Sequence, residues 1–126
     1  MGYAVKILSI INHPFIINLR GSIQDDKNLY LDLELINGGE LFVYLRMADH
    51  FTVDQACFYI CQVIWVIDYS HEKNIIYRNL KPEKLLIQKI GYLKFIGFGF
   101  AKIIVKDKTN SLVGTRLILN AWTNFK

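Results

Sequence analysis

The stretch IIYRNLKPEKLLI, Ile75 to Ile87, gathers Arg78, Asn79, Lys81, Glu83 and Lys84 between two apolar runs. The stretch has the shape of a catalytic loop, which would be expected to carry acidic or metal-binding groups. An amide at Asn79 and an ammonium at Lys84 stand there instead. The amide of Asn79 has no basicity at neutral pH, and the ammonium of Lys84 repels a divalent cation.

Other chemistry-bearing side chains read more simply. Cys57 and Cys61 are four apart in a helical pattern, which puts both on one face but suits neither a usual disulfide framework nor a closed zinc site. They are expected to be packed, reduced thiols, and Trp65 and His71 are assigned to packing of the same helix. Glu40, alone beside a glycine pair, reads as an isolated surface acid.

The elements that would position these residues follow from pattern. An apolar helical opening, AVKILSII, is broken at NHP, because proline cannot continue a helix and biases His13 toward extended geometry. FIINLRGSI and the cleanly alternating LYLDLEL, separated by the polar QDDKN, read as an antiparallel hairpin. Gly38 and Gly39 make a flexible joint, the one plausible lobe boundary, and a short helix from Glu40 to Arg46 follows. Thr52 and Gln55 fit a capping box that opens a long, mostly buried helix from about Val53 to His71. LLI, a turn ending at Gly91, and YLKF form a second small hairpin, after which the chain turns basic and irregular.

A chain of 126 residues buries one core and is too short for two ordinary domains. Its apolar content of 52% and mean hydropathy of +0.24 are on the rich side, so part of its surface wants a partner. The net charge of +4 is scattered, with no block resembling a nucleic-acid arm. The most apolar run, YICQVIWVIDY, falls short of the roughly 20 residues that span a bilayer. No secretory leader or myristoylation signal opens the chain, and the expectation is a cytoplasmic, alternatively nuclear, protein with no membrane or nucleic-acid partner.

The order of HPFI, NLYLDLELINGGELF, YRNLKPEKLLI, GYLKFIGFGFAK and GT, from Ile7 to Thr115, resembles the eukaryotic Ser/Thr protein kinases, and within them the cAMP-dependent kinase catalytic subunit and its X-linked relative. That resemblance implies an α+β, partial kinase-like fold: residues 1–36 as a remnant of the small lobe, 37–115 as part of the large lobe, and 116–126 as a divergent tail. It also implies roles. The base that accepts the substrate hydroxyl proton falls at Asn79, and Lys81 matches the lysine that steadies the transferred phosphoryl. The second metal ligand falls at Lys84 and the chief one at Gly97, so no metal site is expected.

Glu34 and Ile36 match the hinge that offers backbone groups to adenine, and Leu86 the floor beneath it. Glu40 and Glu83 match carboxylates that read basic substrate residues. Arg78, Lys102 and Ser111 match a basic pocket and the hydroxyl that is phosphorylated. Leu8, Leu19, Tyr77 and Phe98 match an apolar spine, and ordinary core residues fit these positions equally well. The Gly-rich phosphate loop and the lysine strand would precede Met1, and the glutamate that pairs with that lysine aligns with Ala4.

The resemblance thus implies ATP and Mg²⁺ in intact relatives but no cofactor here. The preferred reading is a truncated, catalytically inactive kinase-like chain, a pseudokinase or decayed gene copy. The alternative is a binding module for a regulatory subunit or Arg-rich peptide, with a chaperone as a further partner. An active ATP-dependent Ser/Thr kinase is the third class.

Overall fold

A computed structural model describes residues 3–77 and 80–97, together with the backbone of 102–103. Helix α1, Tyr3–Ile10, leads into an extended segment and the hairpin β1 (Leu19–Gln24) and β2 (Leu29–Leu33). Helix α2 spans Leu41–Ala48 and α3 spans Val53–Glu72. Then come β3 (Ile75–Ile76), a turn of 3₁₀-helix at Pro82–Lys84, β4 (Leu85–Ile87), β5 (Leu93–Phe95) and β6 (Lys102–Ile103). The described strands form three antiparallel pairs, β1 with β2, β4 with β5, and β3 with β6.

Local chemistry accounts for most of these elements. Asp25 closes the hairpin turn by accepting from the N–H groups of Lys27 (2.8 Å) and Asn28 (2.6 Å), while the Tyr30 hydroxyl donates to its other oxygen at 3.1 Å. On β2, Leu29, Leu31 and Leu33 are half-buried and alternate with exposed Tyr30 and Asp32. The capping box on α3 is complete: Gln55 N–H donates to Thr52 Oγ1 at 3.2 Å, and Thr52 N–H donates to Gln55 Oε1 at 3.0 Å.

One core joins these pieces. Ile7, Leu8 and Ile11 from the opening helix, Phe15 to Ile17, Leu41, Val63, Val66 and Ile67 of α3, and Leu85, Ile87, Leu93 and Phe95 of the second hairpin are buried together. Among the described residues no helix is long and apolar enough to cross a membrane.

Four expectations change. Phe15, Ile16 and Ile17 do not extend β1; Ile16 bridges Phe95 instead, with Ile17 N–H donating to Phe95 O (3.0 Å) and Phe95 N–H to Phe15 O (2.8 Å). The glycine joint is pinned rather than flexible. A Cβ on Gly38 would collide with Ile87 O, the Tyr44 hydroxyl donates to Gly38 O, and Ile87 N–H donates to Gly39 O at 2.8 Å. Glycine is needed there for close approach to β4.

Helix α3 is buried along one face only, through Gln62, Val63, Val66, Ile67 and Ser70, while Val53, Phe58, Ile64 and Trp65 stay exposed. Cys57 and Cys61 lie on that exposed face as free thiols, not packed ones. The 3.6-residue period places them opposite the buried stripe.

Candidate functional site

The segment that raised the question of chemistry sits between α3 and the second hairpin. Tyr77 is buried and packs edge-on against Phe95, with ring centroids 5.8 Å apart. Its hydroxyl accepts the Gly97 N–H at 2.8 Å, fixing the end of β5 against the loop. Burial raises the phenol's pKa far above its ordinary value, and the Gly97 hydrogen bond opposes that only in part. Tyr77 is therefore a neutral structural hydroxyl.

Lys81 precedes the 3₁₀ turn and is exposed, Pro82 is buried, and Glu83 and Lys84 are half-buried. The stem of Lys84 lies on Gly97. A Cβ at position 97 would meet the Tyr77 hydroxyl at 2.6 Å, Lys84 Cγ at 2.9 Å and Lys84 Cβ at 3.0 Å. The two departures from the expected loop chemistry are thus spatially complementary, one residue occupying the space the other vacates. Neither offers an oxygen to a metal from its side chain, so this pair does not fit Mg²⁺. Among the described residues, no three His, Cys, Asp or Glu side chains cluster as a metal would require.

Glu34 lies just past β2, and its carboxylate accepts from Lys94 Nζ at 2.6 Å and from Asn18 N–H at 2.8 Å. Burial works against its charge, but the Lys94 hydrogen bond, the Asn18 N–H and the charges of Lys94 and Arg20 together outweigh it and hold the carboxyl below its ordinary range. Its own N–H donates to Asn18 O at 3.1 Å. Ile36 is half-buried against the core, and Leu86 is half-buried, opposite Lys94 on β5 and bridged to Glu40. Lys94 is thus opposite Leu86 in the hairpin and bonded to Glu34 through its side chain.

Glu40 is exposed at the start of α2 and its side chain makes no capping hydrogen bond. Glu83 carries one buried oxygen, Oε2, without a hydrogen-bond partner. Leu8 and Tyr77 are buried and Leu19 half-buried in the shared core. Arg78, Asn79, Phe98 and Ser111 lie outside the described residues. Of Lys102 only the backbone is described, paired with Ile76.

The chain matches the protein kinase domain over residues 4–119. It belongs to the protein kinase family. Over 110 residues, 87% of its length, this kinase-family chain is 48% identical to the cAMP-dependent protein kinase catalytic subunit of Dictyostelium discoideum and to catalytic subunit 3 of Drosophila melanogaster. It is 44% identical over 109 residues to the cAMP-dependent protein kinase catalytic subunit PRKX of Mus musculus. It spans 17%, 19% and 30% of those three relatives. The α+β, partial kinase-like fold expected from its motifs stands.

Sequence reasoning missed three residues that hold this kinase-family site in place. Gln62, read as an interruption of an apolar helix, accepts the Leu93 N–H at 2.8 Å and donates to Phe58 O, tying α3 to β5. A lone amide among apolar residues was the available signal. Lys94 gave none, since its partner Glu34 is 60 residues away. His13 sits buried among Phe15, Trp65 and Tyr69, its Nδ1 accepting the Phe15 N–H at 3.0 Å. Trp65 does pack there, while remaining 55% exposed.

Proposed function

We propose that this kinase-domain chain does not transfer phosphate. The observation that supports the reading is the contact of Gly97 with the Tyr77 hydroxyl and the Lys84 stem. Kinase catalysis relies on metal-held phosphates and a positioned base, and in this chain Asn79 and Lys84 stand where that base and the second metal ligand are called for. Losing a positioned base alone lowers rate by roughly 10² to 10⁴. The test is labelled-phosphate transfer from ATP–Mg²⁺ to an arginine-rich peptide, with a cAMP-dependent kinase as positive control and protein-free buffer as blank. No transfer above blank is expected; transfer that scales with chain concentration overturns the reading.

A binding role is favoured by a separate observation. Glu40 is exposed and makes no capping hydrogen bond, so its carboxylate is open to a cationic ligand, while Glu83 lies half-buried with its Oε2 shielded and, among the described residues, without a hydrogen-bond partner. An arginine-rich peptide or the arginine-bearing segment of a kinase regulatory subunit fits that chemistry. Loss of peptide binding in Glu40→Gln and Glu83→Gln, read by fluorescence anisotropy, is the expected result. Equal binding by all three proteins would rule it out. A cytoplasmic or nuclear location belongs to the same proposal, as does chaperone association through the exposed Phe58, Ile64 and Trp65.

A further inference from the structure

Cys57 and Cys61 lie one turn apart on the outer face of α3, both exposed as free thiols. The 20-residue length of α3 and its capping box at Thr52 hold that face as regular helix, so the separation of the two side chains is set by helix geometry. Residues four apart on a helix carry Cβ atoms about 5–6 Å from each other. A disulfide needs about 3.5–4.5 Å between those atoms, so the pair cannot be joined without distorting α3. Each cysteine has a single side-chain torsion, and the helix disfavours the rotamer that drives the sulfur into the preceding turn. Each sulfur is therefore confined to a short arc around its Cβ. Two metal–thiolate bonds of about 2.3 Å span the gap between such arcs, and the same spacing lets two side chains of one helix share an ion in helical zinc sites.

The number of ligands decides the ion. The chain has two cysteines and three histidines, all of them among the described residues, and there no three His, Cys, Asp or Glu side chains come together. No third cysteine or histidine of the chain therefore joins the pair. Two thiolates leave zinc short of the four ligands it takes in structural sites, and calcium and magnesium call for oxygen. Thiolates are soft donors that select copper(I), a closed-shell ion that two of them satisfy. We infer that Cys57 and Cys61 together bind one copper(I) ion between their sulfurs on the outer face of α3. Each thiol gives its proton to solvent as its sulfur bonds to copper, so one Cu⁺ replaces two H⁺ and no electron is transferred. The site lies on the face of α3 opposite its buried stripe and does not depend on the loss of phosphate transfer proposed above.

The full 126-residue chain, reduced and kept free of air, is titrated against the coloured bicinchoninate complex of copper(I), and transfer of copper is read as loss of that colour. One copper per chain is expected, with the loaded chain sedimenting as the metal-free chain does. Cys57→Ser and Cys61→Ser should each weaken binding by more than the roughly 10–100-fold that follows loss of a mere supporting partner, since each removes a ligand itself. The double variant Cys61→Ser/Asp68→Cys keeps two thiols at exposed positions of the same face, about 16 Å apart at 1.5 Å per residue, and should bind as weakly as Cys61→Ser. Excess Zn²⁺ should not displace the copper. Circular-dichroism melts without metal check that each variant keeps its fold, and should one serine variant lose it, the other carries the comparison. The inference fails if the parent takes no copper from the complex, if a folded serine variant or the relocated pair binds as the parent does, or if zinc displaces copper. Two coppers per chain would mean that each thiol acts alone, and half a copper per chain with a faster-sedimenting species would put the ion between two copies; either result overturns it.

Discussion

Gly97→Ala tests the complementarity at the centre of the site. The added Cβ would lie 2.6 Å from the Tyr77 hydroxyl, a separation that real contacts do not sustain. Lys84 Cγ can shift by rotation, but its Cβ, met at 3.0 Å, is fixed to the backbone, and Tyr77 is 2% exposed with its ring against buried Phe95. Overpacking of this kind costs about 1–3 kcal/mol. Against it, alanine stiffens the unfolded chain and returns about 0.4–1 kcal/mol. A net destabilisation of about 1–2 kcal/mol is expected, which at roughly 4 °C per kcal/mol for a chain of this size lowers Tm by about 4–8 °C. The assay is urea unfolding followed by tryptophan fluorescence, combined with a double-mutant cycle through Tyr77→Phe. Removing the hydroxyl destabilises on its own by leaving the Gly97 N–H without that acceptor, yet it makes room, so Gly97→Ala should cost less when combined with Tyr77→Phe. A Gly97→Ala chain as stable as the parent, or an identical loss with and without the tyrosine hydroxyl, would refute the steric reasoning.

Four further outcomes are expected. Glu34→Ala should cost about 3 kcal/mol in chemical denaturation, because it strands the buried Lys94 with only the long 3.4 Å contact to Ile16 O, whereas Lys94→Met should cost clearly less since Glu34 keeps the Asn18 N–H. Gln62→Leu should lose about 1–3 kcal/mol by orphaning the Leu93 N–H, with hydrogen exchange at Leu93 accelerated. Burial first and the Lys94 charge second lower the His13 pKa below its ordinary 6.5, and Glu34 is held below 4.5, so the unfolded chain binds more protons than the folded one. Stability should therefore be full above about pH 6.5 and fall as pH drops, first through His13 and then, below about 4.5, through Glu34, a profile that His13→Gln should flatten in its upper step. Both cysteines should react with a thiol reagent in the folded chain at rates close to those after unfolding; a protected Cys61 would contradict its exposed position.

Features whose causes lie within a few residues were legible in the sequence. The capping box at Thr52 and Gln55, the Asp25 turn and the break at Pro14 each depend on atoms the chain brings together within one turn, so residue type and spacing suffice. The order of motifs likewise carried the family, because each motif keeps its own local chemistry. The substitutions at Lys84 and Gly97 were also visible, but as two separate losses. Only the tertiary structure joins them, since contact between positions in the loop and at the end of β5 is set by how β4 and β5 pair. The same holds for Glu34 with Lys94 and for Gln62 with Leu93, partners 60 and 31 residues apart. It holds too for α3: hydrophobic content marks the helix, but the face that is covered depends on which neighbours pack against it, leaving Ile64, Trp65 and both cysteines exposed. Periodicity ranks the faces of a helix, whereas burial is a property of the surroundings, and those are specified by the fold as a whole.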